Sequence, residues 1–348
     1  MLFRSMGIIV MTVAILPILG IGGMELFVAE APGPTSDKLH PRIKETAKRL
    51  WGIYVILTGV LFLLLWMGEM SFYEAINHAL TTMATGGFST KNASIAHYNS
   101  AYIEYIITFF MFIAGTNYTL LYFGFKGKLS RFWQHEEFKV YAATILGLTL
   151  MVFASILYSS SAGIEKAFRD AIFQVVSVIT TTGFVSADYT QWTPFVTILF
   201  LIMMFLGGSA GSTSGGVKIV RHLTMAKNCF VELRRLLHPR AIIPVKLNGK
   251  IVSPNIISHV LVFILIYLIV FVGSSCVMAA IGLDFETAIS SVATCLGNVG
   301  PGIGSVGPTD NFSQIPFSGK WFLSFLMIIG RLEIFTVLVL LSINFWKK

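Results

Sequence analysis

Three short segments rich in glycine and threonine are the parts of this 348-residue chain that could do chemistry. They are residues 81–90 (TTMATGGFST), 180–184 (TTTGF) and 297–302 (GNVGPG). Glycine permits a positive φ, so the backbone can turn its carbonyl groups towards a common axis, and threonine adds hydroxyl oxygens. Rings of such neutral oxygens replace the water shell of a monovalent cation. Since the segments contain no Asp or Glu, a carboxylate site for a divalent cation is not favoured.

The three segments occupy equivalent places in a repeated unit of span, short helix, loop and span. Any one segment alone could be an ordinary turn, but three at equivalent places predict a path lined by re-entrant loops. With Gly86, Gly183 and Gly300 taken as counterparts, the loops lie 97 and 117 residues apart. The predicted spans and short helices are 50–68, 71–83 and 102–124, then 139–158, 163–180 and 193–232, then 256–282, 284–295 and 321–346.

The composition predicts the membrane class. Hydrophobic residues make up 55% of the chain and charged residues 12%, against about 25% charged in soluble proteins. Most Lys and Arg residues lie in the gaps 38–49, 126–139 and 218–250, the positive-inside pattern of cytoplasmic loops. We therefore predict an all-α polytopic membrane protein, in contact with lipid and without a nucleic-acid partner.

The remaining residue patterns argue against an enzyme. The three cysteines have no spacing typical of a disulfide framework or a zinc site. No nucleophilic triad, phosphate-binding loop or paired carboxylate motif is present in the sequence. The sequence predicts a non-enzyme that binds no cofactor, with an ion as its substrate.

The apolar N-terminal stretch 6–27 has two interpretations. With Arg4 before it and the sequence Ala29-Glu30-Ala31 after it, it could be a signal peptide. It is longer than the 7–15 apolar residues of a signal peptide, and cleavage would place the basic gap 38–49 outside. A transmembrane helix that ends in the cytoplasm is favoured.

A glycine-rich break, residues 207–216 (GGSAGSTSGG), interrupts the span 193–232. Ten residues with five glycines do not sustain a helix, because glycine disfavours it by about 1 kcal/mol per residue. A linker outside the membrane is an alternative, but the apolar flanks are each too short to span alone. The break is therefore predicted to lie at membrane depth, beneath the loops.

Arg331 lies inside the apolar run 321–346. A charge in a span is costly and faces a partner or a cavity. Pairing with Glu333 is one interpretation, although residues two apart on a helix do not face each other. The exposed oxygens of residues 209–214 are better partners for the five donors of a guanidinium group.

Together these motifs resemble the filter loops of TrkH/KtrB-type potassium transporters. Residues 20–27 (GIGGMELF) and 29–35 (AEAPGPT) resemble the cytoplasmic end of that family's first repeat, in its TrkH/TrkG branch. The resemblance implies potassium uptake across the bacterial inner membrane, a homodimer and a cytosolic nucleotide-binding regulatory ring (TrkA-like). The implied potassium-filter positions are Ala84, Thr85, Gly86, Thr181, Thr182, Gly183, Asn298, Val299 and Gly300. The implied intramembrane gate comprises Gly207, Gly208, Ser209, Gly211, Ser212 and Gly215, with Arg331 contacting it.

The resemblance also implies four repeats around one pore, of which this chain opens inside the first. The predicted division is a remnant of the first repeat (1–48), a second repeat (49–137), a third with the gate (138–254) and a fourth (255–348). Two alternatives stay open at this point. One is a non-conducting truncated remnant, and the other is a secondary solute transporter, which would have inverted repeats.

Overall fold

The structure is a computed structural model that describes residues 43–159, 163–332, 334, 335 and 337, with side chains described from Lys48 onwards. The apolar stretch 6–27, the motif residues 20–35, Glu333 and the last residues of the chain lie outside this part. Within it the chain forms twelve α-helices and one short β-hairpin. The helices are α1 (Ile43–Met67), α2 (Phe72–Met83), α3 (Ala101–Ala114), α4 (Tyr118–Phe125), α5 (Ser130–Gln134), α6 (Glu136–Ser159), α7 (Ile164–Ile179), α8 (Pro194–Met203), α9 (Ile219–Leu237), α10 (Pro254–Ala280), α11 (Phe285–Gly297) and α12 (Phe317–Arg331).

Long apolar helices open the three repeated units. Three of the described helices are long and apolar enough to cross a membrane, namely α1 from Lys48 to Met67, α6 and α10. Their outward faces carry large hydrophobic side chains, as lipid contact requires. The predicted all-α membrane fold with repeated units is confirmed.

Three short helices follow these spans, at the places that the sequence predicts. They are α2, α7 and α11, and we call them the pore helices. Ser71 and Glu74 form a capping box at the start of α2, and Asp284 accepts a hydrogen bond from the Thr287 N–H at the start of α11. The C-terminal ends of all three helices are fully buried, so each helix points into the centre of the protein. In α11 most of the residues at this buried end are small.

The predicted span 102–124 is not one continuous helix, because the chain bends by 107° between α3 and α4. Gly115 ends α3, and the Asn117 side chain caps α4 by accepting a hydrogen bond from the Thr119 N–H at 2.8 Å. A glycine followed by a capping asparagine is a helix stop and restart that hydropathy alone does not detect.

The predicted interruption after α8 is present. Helix α8 ends at Met203, and the next helix, α9, begins at Ile219. The break packs against the bend between α3 and α4: the Ser209 N–H donates to the Gly115 carbonyl at 2.9 Å, and the Thr213 N–H donates to the Ala114 carbonyl at 3.3 Å. Two irregular segments thus satisfy each other's backbone groups away from lipid.

A small hairpin follows α9. Strands β1 (Lys246–Leu247) and β2 (Lys250–Ile251) pair antiparallel across Asn248 and Gly249, both of which have positive φ. Asn-Gly is the favoured pair for a two-residue hairpin turn. We call residues 245–252 the hairpin.

Candidate functional site

The three predicted loops share one backbone pattern at the ends of the pore helices. We call residues 84–88 loop A, residues 180–184 loop B and residues 297–301 loop C. In each loop the second and fourth residues have a positive φ. This backbone conformation costs a residue other than glycine about 1–3 kcal/mol. The values are +48° and +62° at Thr85 and Gly87, +54° and +81° at Thr181 and Gly183, and +57° and +121° at Asn298 and Gly300.

Hydrogen bonds confirm this alignment of the loops. The N–H of the third residue donates to a carbonyl in the last turn of the preceding pore helix, at 2.7 Å in loop A and at 2.9 Å in loops B and C. The donor and acceptor pairs are Gly86 and Thr81, Thr182 and Ser177, and Val299 and Thr294.

The pairing of Gly86 with Gly183 and Gly300 is therefore wrong by one residue. Gly87 is the counterpart of those glycines, and Gly86 corresponds to Thr182 and Val299. Ala84 corresponds to Thr180 and Gly297. The signal was available in the sequence, because Gly87-Phe88 matches Gly183-Phe184.

Loop A contacts loop B at Gly87, and loop B contacts loop C at Gly183. A Cβ atom on Gly87 would lie 1.8 Å from the Thr182 carbonyl oxygen, and one on Gly183 would lie 2.1 Å from the Val299 carbonyl oxygen. No side chain fits at either approach. Loop B therefore lies between loops A and C, with carbonyl oxygens at both contacts.

We expect Gly87→Ala to impair ion transport far more than Gly86→Ala. A Cβ at Gly87 meets loop B and requires a strained φ, whereas the counterparts of Gly86 already carry side chains. Rubidium uptake by cells that express each variant at equal level would measure this. Equal loss in both variants would contradict the alignment.

The Gly-rich segment, residues 207–216, contacts the second residue of every loop. The Thr85 hydroxyl donates to the Thr213 carbonyl at 2.8 Å. The Gly215 N–H donates to the Thr181 hydroxyl at 2.6 Å. A Cβ on Gly215 would lie 3.1 Å from the Asn298 Cβ, so that residue is also adjacent. Two loop hydroxyls are thus bound to this segment.

Two cationic side chains donate to the same segment. Arg331 at the end of α12 donates from Nη2 to the Thr213 carbonyl at 3.3 Å, so the contact predicted from the sequence is present. Lys218 donates from Nζ to the Ser214 carbonyl and, at 3.0 Å, to the Ser214 hydroxyl. The sequence analysis places Lys218 in the basic gap 218–250, and in the structure this residue is buried.

An ion pair fixes the N-terminal end of α2, the first pore helix. Glu74 accepts a salt bridge from the Lys91 Nζ at 2.8 Å, and this contact lowers the pKa of the Glu74 carboxyl to about 2. Lys91 follows loop A, so the pair ties the start of α2 to the chain that leaves the loop.

The structure brings all the predicted site residues into one region. Each loop presents backbone carbonyls at the buried end of a pore helix, and the Gly-rich segment lies against all three loops. No group of three His, Cys, Asp or Glu residues that could hold a metal ion occurs in the part of the chain that the structure describes. The loops offer neutral oxygen atoms of backbone carbonyls and hydroxyls, a set of donors that suits a monovalent cation.

Known proteins resemble this chain in both sequence and fold. The family model of TrkH, described as a cation transport protein, matches residues 3–348. The chain is 43% identical to the Trk system potassium uptake protein TrkH of Escherichia coli K12, over 99% of this chain and 72% of that protein. It is 33% identical to the TrkG protein of the same strain, over 99% of this chain and 71% of that protein. The crystal structure of the potassium transporter TrkH from Vibrio parahaemolyticus matches with a TM-score of 0.85 and 38% identity, over 99% of this chain and 70% of that chain.

Proposed function

The chain belongs to the TrkH family of cation transport proteins, and from that premise we propose that it takes up potassium ions along the path that loops A, B and C line. It is an integral protein of the bacterial inner membrane, and as a member of a transporter family it is not an enzyme. The potassium ion is its substrate, and its spans contact lipid.

The observation that carries the proposed path is the repeated backbone pattern of the loops. Thr85, Thr181 and Asn298 are all held at positive φ in equivalent positions, and strain of this kind clusters at functional sites. We propose that the second to fourth residues of each loop face the ion. These positions retain eight of the nine residues predicted from the sequence and exchange Ala84 for Gly87.

The Gly-rich segment is proposed to close this path from below. Its contacts with Thr85, Thr181 and Asn298 hold it directly against the second residue of each loop, where its backbone obstructs the way into the loops. Arg331 and Lys218 are proposed to hold it there through the Thr213 and Ser214 carbonyls.

The finer points of assembly rest on the family resemblance. We propose that two copies of the chain pair in the membrane and that a cytosolic nucleotide-binding ring governs the path, with no cofactor bound by this chain. Chemical cross-linking in native membranes would detect both assemblies. Recovery of the single chain alone, without any cross-linked product, would contradict both assemblies.

Flux measured on the purified full chain tests the proposed function. In liposomes with a potassium gradient, we expect uptake of rubidium above that of empty liposomes, with potassium competing and sodium competing weakly. Gly183→Asp, which places a bulky charge at a contact between two loops, is the inactive control. Rubidium uptake equal to that of empty liposomes would contradict the proposal.

A further inference from the structure

Groups outside the pore loops hold the tip of the Gly-rich segment at Ala210. The Ala210 N–H donates to Oε1 of Glu137 at 2.6 Å. Glu137 lies in the first turn of α6 and is only 3% exposed, so this carboxylate is buried against the segment. The neighbouring Ser209 N–H donates to the Gly115 carbonyl, and the Gly211 carbonyl accepts from the Tyr118 N–H.

The Ala210 methyl group belongs to a small apolar cluster that is separate from the membrane core. Its buried partners are Val220 of α9 and three residues of the hairpin, Val245, Leu247 and Val252. Leu247 is 2% exposed. The hairpin and the tip of the Gly-rich segment therefore share one core.

The hairpin is also fixed to the turn of α6 that holds Glu137. The Glu136 N–H donates to Oδ1 of Asn248, at the hairpin turn, at 2.8 Å. The Glu136 carboxylate is paired with Lys227 of α9, and Lys227 donates to the Lys246 carbonyl at 2.9 Å. One turn of α6 thus binds the hairpin through Glu136 and the Gly-rich segment through Glu137.

We propose that Glu137 is a positioning residue for the ion path and that, with the hairpin, it clamps the Gly-rich segment at Ala210. A segment without regular secondary structure has its backbone groups satisfied by outside partners, so those partners determine where it lies. This inference rests on the proposed function for its effect on flux, but the clamp itself is a structural property.

Hydrogen–deuterium exchange of the full chain in lipid nanodiscs tests the clamp without measuring flux. We expect Glu137→Ala and Leu247→Ala to speed exchange at residues 208–213 by about tenfold, since each removes one side of the clamp. Glu137→Gln keeps a carbonyl acceptor for the Ala210 N–H and should restore slow exchange. Ile242→Ala, at a 98% exposed position before the hairpin, is the matched control and should change nothing.

Leu247→Ala carries the test even where Glu137→Ala fails to fold, because Leu247 lies outside the membrane-spanning helices. Unchanged exchange at 208–213 in a folded Leu247→Ala protein would overturn the clamp. So would equal acceleration by Glu137→Ala and Glu137→Gln.

Rubidium flux through the same variants separates the two proposals. Raised basal flux in Leu247→Ala, with faster exchange, supports both the clamp and the gate. Faster exchange with unchanged flux supports the clamp and contradicts the gate role of the Gly-rich segment.

Discussion

Gly183→Ala should reduce the preference for potassium over sodium by about tenfold or abolish transport altogether. Gly183 has a φ of +81°, which costs an alanine about 1–2 kcal/mol, and the new Cβ would lie 2.1 Å from the Val299 carbonyl oxygen. Loop B or loop C must move to relieve that contact, and the carbonyl positions change with it. Rubidium uptake in the presence of competing potassium or sodium measures the preference.

Gly273→Ala is the matched control for this substitution. Gly273 lies within α10, and nothing lies within 4 Å of a Cβ added there. Alanine is the better helix former, so this variant should transport as the unchanged protein does. Unaltered ion preference in Gly183→Ala, at normal expression, would show that Gly183 does not line the path.

The sequence predicts the architecture well where the physical signal is local. The pore helices are predicted within two residues of their ends, because a short semi-polar helix between two long apolar runs has few other interpretations. The interruption at residues 207–216 is predicted because five glycines oppose a helix whatever surrounds them.

The errors arise where the signal is weak or depends on distant contacts. The bend after α3 was missed because Gly115 and Asn117 scarcely change the hydropathy of the run 102–124. Loop A was misaligned because two adjacent glycines are both compatible with positive φ, and the match of Gly87-Phe88 to Gly183-Phe184 that distinguishes them was overlooked. The burial of Lys218 was not predicted because the serine oxygens that accept its hydrogen bonds come from a folded segment.

Glu137 shows what sequence reasoning could not reach. Its neighbours in the sequence indicate an ordinary acidic first turn of a helix, which the helix dipole favours. Its contact with Ala210 joins residues 73 positions apart and depends on the packing of α6 against the Gly-rich segment.

Arg331→Ala should raise basal flux by about tenfold. The Thr213 carbonyl accepts from both the Arg331 guanidinium at 3.3 Å and the Thr85 hydroxyl at 2.8 Å, so it is a junction between α12, loop A and the Gly-rich segment. A hydrogen bond to a charged group contributes about 1.5–3 kcal/mol, and its loss loosens the segment. Arg331→Lys should restore closure only in part, because a point charge does not reproduce the planar fork of donors. Arg235→Ala, on the exposed face of α9, is the control for loss of charge.

A deletion within the Gly-rich segment decides whether Arg331 acts through it. Removal of residues 208–215 should raise basal flux by itself, because it removes the groups that contact Thr85 and Thr181. Adding Arg331→Ala to the deletion should then have no further effect, since the Thr213 carbonyl that Arg331 binds is gone. Substitutions that act on one element are not additive, whereas those on independent elements are. If the deletion and Arg331→Ala instead raise flux independently and additively in the double variant, Arg331 does not act through the Gly-rich segment. The closure of the path would then depend on another contact of α12.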